Sequence, residues 1–225
     1  VQTRTVRDHY DGRIVRCSNR FVAATGTSYL LSLTEPSATR SRRRPRRETV
    51  PAGISKLLTS LHLPAFIEGR NLDVLAANPL ATALSPRLVT GENRLRAVFL
   101  DPDEQTLYPD WDDPTARLVA GFRRSVGTDT KDPRFIDLVG ELSLTSDRFR
   151  HLWAQNDVQP RQSWPITIDH PLVGELTLNR EKLVIGDTAQ TLVLAIYHPD
   201  SGSASADKLT LLASYTAADS LSAGQ

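Results

Sequence analysis

The sequence predicts an α+β domain, an antiparallel sheet with helices packed on one face. Three observations lead there. Two short apolar runs flank Gly69-Arg70-Asn71 near residue 70, helical spacing then dominates to about residue 155, and the last third turns to a two-residue period. In "VGELTLN", Leu176 and Leu178 alternate with polar neighbours, so one side of that strand is buried and the other wet. "QTLVLAIYH" is apolar on both faces and belongs centrally in the sheet.

The elements follow in order. "GISKLLTSLHLP" places Ile54, Leu57, Leu58 and Leu61 on one stripe, an amphipathic helix ended by Pro64. "AFIEGRNLDVLAAN" reads as a hairpin. Asn78 then stands where a helix N-cap is wanted, with its side-chain oxygen available to the N–H of Leu80 or Ala81. Pro79 suits the first helical position, because its missing N–H would have been unpaired there anyway. Asn78 is therefore expected to fix the junction and not to touch a ligand.

"RLRAVFLDPDEQTLYPDW" and "PTARLVAGFRRSVG" supply further helices, with Leu118, Val119 and Phe122 inward. "DPRFIDLVGELS" starts at a capping Asp132 and buries Phe135, Val139 and Leu142. "TSDRFRHLWAQNDV" sets Phe149, Leu152 and Trp153 on one stripe, flanked by Arg148 and Arg150. "SASADKLTLLASY" closes the fold as a capped helix. The small, polar tail, residues 216–225, is expected to be disordered.

Charge divides the chain. Residues 1–50 hold 11 of the 27 Lys and Arg and 4 of the 26 Asp and Glu, an excess of +7, which leaves −6 in the rest. Six arginines fall between Arg40 and Arg47, in a segment with no apolar face to bury. This is an exposed hinge, and Arg42, Arg43, Arg44, Arg46 and Arg47 could hold phosphate backbones weakly and without sequence preference. The expected organisation is a basic N-terminal segment over 1–50, a globular domain over 51–215 and the tail.

Several classes of function find no support. The single cysteine, Cys17, rules out an internal disulfide and a zinc ribbon. No apolar run approaches the ~18–20 residues of a membrane span, and the expected compartment is the cytoplasm. Nucleophile elbows, zinc-protease helices, phosphate loops and dinucleotide fingerprints are missing from the sequence, so no catalytic residue, metal site or cofactor is expected. His170-Pro171 and His198-Pro199 sit at strand ends, where a turn role is favoured over ligation. Helices piled on one side of a sheet commonly leave a cavity between the layers.

Five stretches, "LPAFIEGRNLDVLAANPLATALSP", "NRLRAVFLDPDEQTLYPDW", "LVGELSLTSDRFRHLWAQNDV", "HPLVGELTL" and "DKLTLLAS", occur in order with suitable spacing. Together they resemble the ligand-binding domain of MmyB-like transcription regulators, a family abundant in actinobacteria, from about residue 46 to 214. The resemblance implies a PAS-like fold, a position after an XRE-type helix-turn-helix domain, and a small apolar, fatty-acid-like ligand. It implies a sensor and not an enzyme. The residues expected to face the cavity are Phe66, Leu75, Trp111, Phe122, Phe149 and Trp153, with Arg148 or Arg150 pairing a carboxylate head at the rim.

Three positions depart from the family pattern. Residues 1–29 lack a five-helix pattern, which suggests a truncated or frame-disrupted N-terminus, so DNA is a partner only if a helix-turn-helix is supplied upstream. Ala77 stands where the family usually has tryptophan, and Asn156 where relatives commonly have histidine. The rival expectation is a ligand-free PAS-like unit for dimerisation or protein interaction, and a homodimer is admitted in either case.

Overall fold

The computed structural model describes residues 48–126, 131–155, 165–186 and 192–222. The basic segment, the arginine run and Asn156 lie outside these residues. Helix α1 spans Ala52–Ser60, and strands β1 (Ala65–Glu68) and β2 (Val74–Ala77) form the expected hairpin. Helices α2 (Pro79–Leu84), α3 (Arg94–Leu100), α4 (Pro102–Thr106), α5 (Asp112–Val126), α6 (Pro133–Thr145) and α7 (Asp147–Ala154) follow. Strands β3 (Pro165–His170), β4 (Gly174–Ile185) and β5 (Leu192–His198) lead into the closing helix α8 (Ala204–Ser222). The class is α+β, as expected.

All strand pairs are antiparallel, in the order β2-β1-β5-β4-β3. The all-apolar β5 is thus the middle strand. Its alternate residues serve two cores: Ala195 and Tyr197 face the main one, Leu192 and Leu194 a smaller one. Helices α2, α3 and α5 to α8 all bury apolar side chains in the main core on one side of the sheet. Helix α1 lies on the other side, where Leu58 packs against Ala65, Ile67, Leu192 and Leu194.

Asn78 explains the sharp strand-to-helix junction. Its Oδ1 accepts the N–H of Ala81 at 2.9 Å, capping α2, and also the N–H of Ala65 at 3.1 Å. Its Nδ2 donates to the carbonyls of Leu63 at 2.7 Å and Leu61 at 3.3 Å. One buried side chain therefore fastens a helix start, the beginning of β1 and the preceding loop. Asn93, Asp101, Asp132 and Ser146 cap α3, α4, α6 and α7 in the same way, through backbone N–H groups of the first turn. Short helices that could not stand alone are held by these caps and by tertiary packing.

Two expectations need correction. The tail is helical through Ser222, because Ala-containing "YTAADSLS" continues α8 past Thr216 with residues of adequate helix propensity. Leu75 does not share a face with Phe66. The β1–β2 register shifts between Ile67 and Glu68, so Glu68 pairs with Val74 while Ile67 pairs with Ala76. The extra residue at 75 packs with the smaller core beside α1.

Candidate functional site

The inner side of the sheet and helices α3, α5 and α7 enclose two neighbouring groups of side chains, one aromatic and one ionic. The helical period brings the aromatic group together. Phe149 and Trp153, one turn apart on α7, stack at 5.7 Å with planes 8° apart. Phe149 meets Phe99 edge-on at 5.3 Å, and Phe99 meets Trp111 at 6.3 Å. Phe122 and Phe135 pack against Trp153 from the other side, each at 5.9 Å. The guanidinium of Arg123 lies 4.4 Å from the Trp153 ring centroid, and its Nη2 donates to the Trp153 carbonyl.

The ionic group comes from strand parity. Leu176 and Leu178 face the main core, so Arg180 and Lys182, two and four residues further along β4, point to the same side. On β1, Phe66 and Glu68 face that side too. Glu68, 1% exposed, is ion-paired with Lys182, whose Nζ donates to Oε1. Its Oε2 lies 3.7 Å from Nη1 of Arg94, itself 4% exposed, and neither of these two atoms has a hydrogen-bond partner.

Arg94 owes its place to the cap of α3. Asn93 donates to the carbonyl of Asn71 and to Asp73, and the Arg94 N–H donates to the carbonyl of Leu72, tying α3 to the hairpin turn. Leu72 takes a left-handed conformation there, with φ of 61°. The guanidinium then sits 5.0 Å from the centroid of Phe66, whose ring stacks on Tyr197 at 6.2 Å. Nearby, the buried Glu104 accepts from the hydroxyls of Ser85 at 2.7 Å and Tyr108 at 3.0 Å.

Burial alone would raise the Glu68 carboxyl, but Lys182 and then Arg94 outweigh it and hold the carboxyl below its usual 4.5. Burial also draws the Lys182 ammonium below its usual value, against the pull of Glu68. For Arg94, burial opposes the charge, yet Tyr197 and Glu68 prevail and the guanidinium is firmly protonated. Burial and then Glu104 push the Tyr108 phenol well up. Tyr197 behaves in the opposite way. Burial would raise it, but Arg94, then Arg180, which is also hydrogen-bonded to it, and Lys182 draw it down.

Between the two groups is a recess lined by Arg94, Val98, Tyr108, Trp111, Pro114, Thr115, Leu118, Ile166 and Arg180. Its free volume is about 10 Å³, on the order of a single water. Among the described residues, the side chains around this recess leave little free space within it. Trp111 lines this recess, and Phe122 and Phe149 are wholly buried beside it. Phe66 lies beneath Arg94, and Trp153 is half-buried on the aromatic stack.

The two arginines of α7 lie in different settings. Arg148 is held by Asp112 at 3.0 Å and by Thr115 at the rim. Arg150, about 100° round the helix from Phe149, faces solvent and pairs with Asp147 at 2.7 Å. His170 serves the turn, with Nε2 bonded to the Ala83 carbonyl and Nδ1 accepting the Leu172 N–H. Among the described residues, no group of three or more His, Cys, Asp or Glu could hold a metal ion, and no helix is long and apolar enough to cross a membrane.

No curated protein matches the sequence. Among solved structures, the chain is similar to the PAS domain of Bordetella pertussis BvgS, at 12% identity and a TM-score of 0.31, over 68% of this chain and 87% of that one. The family described as the MmyB-like transcription regulator ligand binding domain matches residues 50–212. With that match running over most of its length, the chain belongs to the family of MmyB-like transcription regulator ligand binding domains.

Proposed function

We propose that this domain is the sensory part of a cytoplasmic transcription regulator of the XRE type, not an enzyme, and that it takes up a small apolar, fatty-acid-like molecule between the sheet and helices α3, α5 and α7. The observation that carries this is the chemistry of the recess. An apolar wall of Val98, Trp111, Leu118 and Ile166 faces the buried Arg94 and the part-buried Arg180, a combination suited to an amphiphile. Because the free volume is small, uptake requires the helical layer to part from the sheet and the Phe149–Trp153 stack to give way. That movement is what a sensor needs, since a ligand acts by favouring one of two arrangements. A helix-turn-helix supplied upstream would receive the motion, and DNA is a partner only through it.

The tight packing around this recess favours a second reading, a ligand-free PAS-like module for dimerisation. Native mass spectrometry of the purified chain separates the two. The sensory role predicts a co-purifying, lipid-sized adduct that solvent extraction removes. An adduct-free dimer would favour the module instead.

A further inference from the structure

We propose that helix α6 is the face by which two copies of this chain pair, antiparallel and about a twofold axis at Gly140, whatever the domain binds inside. The helix is apolar on both sides. Inward, Phe135, Leu138 and Leu142 are buried. Outward, Pro133, Ile136, Gly140 and Leu144 recur every three or four residues and so form one stripe. Ile136 is 54% exposed, and Leu144, at 85%, is the most exposed large apolar side chain among the described residues. A lone exposed leucine means little, whereas an aligned stripe marks a contact surface.

Three observations name a second copy as the occupant. First, the spacing is palindromic. Ile136 and Leu144 lie four residues to either side of Gly140, which is itself one residue from the middle of the helix. A twofold axis at Gly140 therefore lays Ile136 of each copy against Leu144 of the other, the self-complementary match that an isologous contact requires. Second, Gly140 is exposed, and a Cβ there would meet nothing beyond its own helix within 4 Å, so the two backbones can approach closely where they cross. Third, charge does not oppose the pairing. Beside the stripe, Glu141 is neutralised by Arg96 and Arg134 by Asp73, each at 2.6 Å. That leaves Asp137, whose two copies would stand about 9 Å apart along the helices, a distance at which salt screens them. One helix from each copy buries less than the ~1,600 Å² of a standard interface, so the dimer is weak and reversible, on the order of micromolar.

Sedimentation velocity of the whole chain in a dilution series, joined to cysteine cross-linking, tests the assignment. A concentration-dependent dimer is expected. Leu144→Glu should weaken it at least ~10-fold, since each copy loses a buried leucine, and should leave the melting curve unchanged because that side chain lies outside the core. Leu183→Glu, at a half-exposed site on β4, should leave the dimer intact. For the register, Cys17, the one native cysteine, is replaced by serine. Gly140→Cys should then cross-link on air oxidation with copper–phenanthroline, because packed helices bring facing α-carbons within reach of the ~4.4–6.8 Å of a disulfide. Asp137→Cys should not. A chain that stays monomeric throughout would leave the stripe to some other protein and overturn the proposal. So would a dimer that survives Leu144→Glu and is lost with Leu183→Glu, or cross-linking through Asp137→Cys in place of Gly140→Cys.

Discussion

Glu68→Ala is expected to lower the free energy of unfolding by roughly 3 to 5 kcal/mol, the range for breaking a buried ion pair from one side. The carboxylate is 1% exposed and faces Arg94 and Lys182 from the end of β1, beside the middle strand. Removing it leaves Arg94 buried with no carboxylate opposite. Lys182, about one-third exposed, can reach water in part, which argues for the lower half of the range. Urea denaturation followed by circular dichroism measures the loss. The effect also has a pH signature. The carboxyl of Glu68 is held below its usual 4.5, so its contribution is fully present above that value and fades as pH falls through the folded one. The gap between wild type and Glu68→Ala should therefore narrow below about pH 4.5. A loss under about 1 kcal/mol at neutral pH, typical of exposed pairs, would show that the network is solvated.

Phe149→Ala should cost a similar amount, about 3 to 5 kcal/mol, for a different reason. Its ring is wholly buried and touches both Phe99 and Trp153, so truncation forfeits transfer energy and leaves a cavity that the surrounding side chains fill only in part. The same cavity lies where an acyl chain would go. The destabilised variant should thus bind 1-decanol several-fold more tightly than wild type, since less packing must be displaced. Denaturation and calorimetry on the one variant check both halves. A large loss of stability with weaker decanol binding would mean that the ring supports the fold without occupying the ligand's place.

Much of the frame is legible from local physics. Asn78-Pro79 states a capped helix start in two residues, and "QTLVLAIYH" states a central strand by lacking a polar face. The helices between residues 94 and 154 follow from spacing and from caps of the Asn, Asp and Ser type. What local reading missed depends on register. Leu75 changed sides because one extra residue in β2 shifts the parity of everything beyond it. Helix α1 gives no sign in its own pattern of which face of the sheet it covers.

The ionic group was missed for the same reason. Glu68, Arg94 and Lys182 are brought together only once β1, β5 and β4 are laid side by side and α3 is pinned by Asn93. Two signals were present nonetheless. A carboxylate ends the otherwise apolar "AFIE", and Arg180 and Lys182 continue the inward parity of Leu176 and Leu178. Charged residues at inward positions are rare enough to be functional candidates. How far side chains interlock is not legible in the sequence, because apolar stripes fix only which way they point. Phe122, Phe135, Phe149 and Trp153 interlock.

The central claim is that the helices can open over the inner side of the sheet to admit an amphiphile. A crystal structure of the chain soaked or grown with 12-bromododecanoate tests it most directly, since anomalous scattering locates the bromine unambiguously. The account predicts bromine among the side chains of α5 and α7 and the Phe149–Trp153 stack displaced. Bromine confined to the protein surface, with that stack unmoved and the interior as tightly filled as before, would contradict it.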